Sequence, residues 1–111
     1  VEGVALKVAF VRYVPFDQGA AGTLALAAAV AGQRHKVLGF MMSPASAGTR
    51  SFRFSGSASG TLTGPITIQS GGLPTLSPGP IPFCETAPGE ILQLVTTGAG
   101  FKGIVVYVTE P

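Results

Sequence analysis

Charge is what this sequence has least of. Only 11% of its 111 residues are Asp, Glu, Lys or Arg, under half of the ~25% usual in soluble domains. A soluble monomer normally covers itself with charge, so the shortage implies that another chain covers part of the surface. The competing explanation is an exterior of Ser, Thr, Gly and backbone groups. Tryptophan is absent, and the chain has two Tyr, one Cys and one His. A lone cysteine excludes an internal disulfide framework and gives no sign of secretion. Zinc would lack ligands, and no loop clusters Asp or Asn for calcium, so no cofactor or metal is expected. The longest apolar run, near Leu24 to Ala31, is too short to span a bilayer and has no basic leader before it. No membrane partner is expected, and the setting points to the cytosol or a particle assembled in it. The basic residues, Lys7, Arg12, Arg34, Lys36, Arg50, Arg53 and Lys102, are scattered and leave a net charge of only +2. That is no footprint for nucleic acid.

What the chain does have is turn residues and β-formers. Gly (16) and Pro (9) together exceed a fifth of it, which favours turns over long helices. The length suits one domain, residues 1–111, able to bury about two thirds of the surface its unfolded chain exposes. Val4 to Val14 is β-branched and aromatic, with Val4, Leu6, Val8 and Phe10 on one face; residues 1–14 read as an N-terminal strand or arm. Pro15 to Gly22 reads as a turn-rich connection. Thr23 to Gly32 is ambiguous, since its alanines favour helix while its alternation favours strand; strand is the expectation. His35 to Ser43 is apolar on both faces from Val37 to Met42. Such a strand is either covered on both sides or turns its outer face to a partner.

Thr49 to Gly56 alternates, with Phe52 and Phe54 inward and Arg53 outward. Gly60 to Gln69 places Leu62, Ile66 and Ile68 on one face, and Gly64-Pro65 calls for a bulge or an edge there. Gly71 to Phe83 is proline-rich and extended, with one short irregular strand. Glu90 to Thr96 and Lys102 to Thr109 close the chain as two strands. About eight strands at ten-residue spacing predict an all-β, jelly-roll-like β-sandwich of antiparallel strands.

Chemistry is hard to find in this frame. A nucleophilic Cys84 would need His35 within hydrogen-bond reach and a third group to orient it, and nothing around Cys84 resembles a local signature. Glu85 and Glu90 flank "TAPG" and can approach over a turn, but a glycosidase pair also needs a sugar-lined cleft. Both read more simply as solvated residues where strands begin. "SGSASGTLTG" lacks the Lys and the helix of a phosphate loop and reads as a Ser/Gly turn. Arg34, Lys36, Arg50 and Arg53 sit near the starts of two successive strands and need not form one patch.

The final third, "PFCETAPGEILQLVTTGAGFKGIVVYVTEP", resembles the ending of small jelly-roll head decoration (cement) proteins of tailed bacteriophages. The matching residues are Pro82, Phe83, Thr86, Gly89, Glu90, Leu92, Leu94, Gly103, Val105 and Tyr107. With "HKVLGF" and "TLTGPITIQSGG" upstream, the resemblance covers roughly residues 34–109. It implies a non-enzymatic virion part on the outer capsid surface that binds the major capsid protein, staples neighbouring subunits, and pairs with itself as a dimer or trimer. Val37, Phe40, Met42, Arg53 and Phe83 are the expected interface residues. The alternatives are a receptor- or glycan-binding β-sandwich module of a tail fibre or spike, and a small enzyme using Cys84 and His35.

Overall fold

The computed structural model describes residues 11–19, 21–44, 50–68, 75–77, 79, 81–98 and 100–111. Among these it holds ten strands, and none lies in a helix. They are β1 (Val11–Gln18), β2 (Gly22–Ala27), β3 (Arg34–Pro44), β4 (Arg50–Gly56), β5 (Gly60–Thr61), β6 (Ile66–Ile68), β7 (Thr75–Leu76), β8 (Cys84–Glu85), β9 (Leu92–Thr97) and β10 (Phe101–Glu110). Most of the expected strands are here. The stretch Val4 to Phe10, most of Gly71 to Phe83's first half, and the "SPASAG" loop after Ser43 fall wholly or partly outside the described residues.

Two five-stranded antiparallel sheets face each other. In sheet A the order is β1-β10-β3-β7, with β8 also on β3; in sheet B it is β2-β9-β4-β5, with β6 also on β4. Each pair of short strands fills one position, so eight positions result and the chain keeps crossing between sheets. That order is a jelly-roll β-sandwich. It also explains why Arg34 and Lys36 do not join Arg53: β3 and β4 belong to different sheets instead of forming a hairpin.

Two segments differ from the sequence reading. Pro15 to Gln18 is not a connection but the second half of β1, paired to β10 from Pro15↔Ile104 to Gln18↔Phe101. Proline is tolerated because β1 is an edge strand, where one side of the backbone needs no ladder donor. The expected Gly60–Gln69 strand is split into β5 and β6 around Gly64-Pro65. Leu62, Ile66 and Ile68 still pack against the core as one apolar face.

The core lies between the sheets. Val37, Phe40 and Met42 of β3 meet Phe52 and Phe54 of β4, Leu92 and Leu94 of β9, and Phe101 and Val105 of β10. Its aromatic centre is edge-on: Phe40–Phe52 centroids are 5.6 Å apart and Phe52–Phe101 centroids 5.4 Å, the T-shaped geometry that ring quadrupoles favour. Burying each such side chain contributes about 1.5–3 kcal/mol. A bulge in β3, where the register steps from Gly39↔Val106 to Val37↔Tyr107, inserts Leu38 and keeps Val37 and Phe40 both inward.

Candidate interaction face

The pleat and the registers fix what each sheet turns outward. On sheet B the outward rows are Thr23–Val95–Arg53, Ala25–Gln93–Ser55–Thr61 and Thr97–Ser51–Thr67. Hydroxyls and amides dominate. Ser51 bonds Thr97, Arg53 donates to Thr61, and Ser55 donates to Gln93 at 3.3 Å. This face satisfies itself and suits water.

Sheet A is the opposite. Its outward rows are Val11–Val108–Lys36, Tyr13–Val106–Gly39, Pro15–Ile104–Met41–Thr75 and Asp17–Lys102–Ser43. Val106 and Val108 are only 6% and 5% exposed, yet neither belongs to the cluster between the sheets. They form a second, outer layer of apolar packing. Tyr13 and Met41, at 65% and 59% exposed, stand above it. A groove of about 170 Å³ lies beside β3, lined by Phe40, Met41, Thr75, Leu76, Ser77, Ile104 and Val106. One end of the face carries ion pairs: Lys36 Nζ to Glu110 at 2.8 Å and to Glu85 at 3.9 Å, and Arg34 to Glu85 at 3.7 Å.

The residues singled out from sequence fall in different places. Val37, Phe40 and Met42 are buried between the sheets; the outward apolar positions on their strand are Leu38 and Met41, one residue away. Arg53 lies on the outer face of sheet B. Phe83 is partly exposed but stacks edge-on against Phe40 and Phe54, at 5.7 and 6.2 Å between centroids. Tyr13 falls inside the expected 4–14 strand, on the face opposite Val4, Leu6, Val8 and Phe10, and nothing in the sequence distinguishes it there; Met41 was missed because Leu38 shifts the phase of β3.

The polar residues of the interior have structural duties. His35 is buried, with Nε2 2.7 Å from the Ala28 carbonyl and Nδ1 2.8 Å from the Thr109 hydroxyl. A carbonyl only accepts, so Nε2 carries the hydrogen, and both ring nitrogens are committed. Burial, then the neighbouring Glu85 charge, pushes the Cys84 thiol up to about 12, which leaves almost no thiolate at neutral pH.

Glu90 is 3% exposed, not a solvated residue where a strand begins. Its carboxylate accepts from the amides of Ala58 at 2.8 Å, Ala87 at 2.9 Å, and Ser59. Burial would raise its pKa, but the amides of Ala87, Ser59 and Ala58 outweigh it and hold the carboxyl below its ordinary value. Glu85 instead faces Arg34 and Lys36 on sheet A, so the two glutamates serve separate surroundings. Among the described residues, no three of His, Cys, Asp and Glu gather as metal ligands.

No family model, curated protein or solved structure matches the chain.

Proposed function

We propose that this protein is a virion decoration, or cement, protein. It binds the major capsid protein on the outer surface of a tailed-phage shell, staples neighbouring subunits, and acts through contacts without catalysis. The observation that supports this reading is the asymmetry of the two outer faces. Sheet B presents hydroxyls to water, while sheet A presents Val11, Tyr13, Ile104 and Met41 over a buried outer layer of Val106 and Val108. A contiguous apolar patch on a small domain marks a surface that another molecule covers. Repetition over a shell then multiplies modest contacts through avidity.

The test is sedimentation with shells assembled from the major capsid protein encoded by the same genome. Bound protein is expected to level off at a fixed ratio to capsid subunits, and the decorated shells to withstand higher temperature. Failure to sediment with the shells at about 10 μM, a concentration ample for a specific interface, would overturn the reading.

A further inference from the structure

We infer that residues 83–90 form a strap that detaches from the sandwich as one unit while both sheets stay folded, with the Glu90 carboxylate as its latch. The strap starts at β8 on sheet A and leads to β9 in sheet B. It closes the side of the sandwich there, since the Phe83 ring lies edge-on to Phe40 of one sheet and Phe54 of the other. Along β3 the backbone sews it down. The amides of Phe83, Thr86 and Gly89 donate to the carbonyls of Val37, His35 and Gln33 at 2.7, 2.9 and 2.8 Å, and the His35 amide donates back to the Thr86 hydroxyl at 3.0 Å. At the far end the Glu90 carboxylate accepts from Ala58 and Ser59, in the turn after β4, and from Ala87 within the strap itself.

What holds the strap is polar. Its buried side chains, Thr86 and Glu90, are both hydrogen-bonded, and none of its residues belongs to the buried cluster between the sheets; Cys84 and the partly exposed Phe83 only rest against it. A segment with few buried apolar contacts opens at a lower free energy than the whole domain. Its loss takes only the two-residue partner β8 from β3, whose long pairing with β10 lies on the other edge. The latch stands apart from the other charges. The Glu90 carboxylate faces backbone amides and the Ser59 side chain, while Glu85 faces Arg34 and Lys36 of β3, and Lys36 is shared with Glu110 of β10. The His35 ring is turned to Ala28 and Thr109. The Glu85 pairs are half exposed and contribute little. A neutral carboxyl at Glu90 loses the charge on which the amides converge, so the latch holds above its folded pKa and releases as pH falls through it. Release bares Phe40 and Phe54 and frees the Cys84 thiol.

Cys84 reports the opening. Its labelling by a dipyridyl disulfide, which reacts with thiols in acid as well as at neutral pH, is measured from pH 7 to about pH 3 in rising urea below the unfolding midpoint. Each rate is divided by that of the urea-unfolded chain at the same pH, and circular dichroism follows the sheets. Wild type is expected to be protected at pH 7 and to be labelled at a rate that low urea leaves unchanged. Its protection is expected to fall about tenfold or more as pH drops below 4.5, with the sheets intact. Glu90→Gln is expected to be labelled about tenfold or more faster than wild type at pH 7 and to lose the acid response. Glu85→Gln is expected to stay within about twofold of wild type. An unprotected Cys84 at pH 7, protection lost only together with the sheets in urea or in acid, or a Glu90→Gln protein labelled as slowly as wild type would overturn the inference. The urea and pH series on wild type decide the matter by themselves if Glu90→Gln does not fold.

Discussion

At the scale of single residues, Thr86, Gly89 and Glu90, three of the positions that carry the resemblance, have a physical duty in the fold. The Thr86 hydroxyl accepts from the His35 amide at 3.0 Å, while the Thr86 amide donates to the His35 carbonyl at 2.9 Å. Gly89 has a φ of +80°, which only glycine adopts without strain, and its amide donates to Gln33 at 2.8 Å. Glu90 ties that turn to the 57–59 turn through backbone amides, and Gly56 leaves room for it, since a Cβ there would meet the carboxylate. Because the folded carboxyl lies below its ordinary value of 4.5, its stabilisation is present above that pH and is lost as pH falls through the folded value. Glu90→Gln places an NH₂ among amide donors and is expected to cost about 1–3 kcal/mol at pH 7. It is also expected to flatten the loss of stability below pH 4.5. Urea unfolding of both proteins at pH 7 and across the acid range checks this, and equal acid sensitivity would contradict it.

At the scale of strands, the segments with clean alternation were legible and those where the phase changes were not. Phe52 and Phe54 inward with Arg53 outward could be read directly because nothing interrupts the period of two in β4, and Leu62, Ile66 and Ile68 keep one apolar face because the break at Gly64-Pro65 leaves their spacing even. Leu38 breaks that period in β3, and the resulting bulge turns Met41 rather than Met42 to the outside. β8 is two residues long, too short for any periodicity, and the hydrogen bonds that hold it to β3 depend on tertiary position. The close approach of β10 to β3 was likewise invisible. Gly103 has a φ of +155°, and a Cβ there would collide with the Met41 carbonyl oxygen and lie 2.8 Å from Met42 Cα. Backbone cannot yield as a side chain end does, so Gly103→Ala is expected to cost more than about 2 kcal/mol. Gly64→Ala, where a Cβ meets nothing within 4 Å, is expected to stay within about 0.5 kcal/mol of wild type. Chemical denaturation of the two variants side by side decides between this account and a generic glycine effect.

At the scale of the whole molecule, the shortage of charge has two sources, one for each face. Sheet B replaces charge with hydroxyls that bond one another, as Ser51 does with Thr97 and Arg53 with Thr61. Sheet A replaces it with a second apolar layer, and that layer supports the proposed assembly. The composition alone suggested both exteriors and could not assign them, because assignment requires knowing which strands share a sheet. Hydroxyl-radical footprinting reads the covered face most directly, since Tyr13 and Met41 are both oxidisable and exposed, while Met42 on the inner side is 1% exposed and serves as a control. Protein assembled on shells, compared with dilute free protein, is expected to show Tyr13 and Met41 protected by about fivefold or more, with Met42 unreactive in both. Unchanged oxidation of Tyr13 and Met41 on the assembled shell would contradict the account.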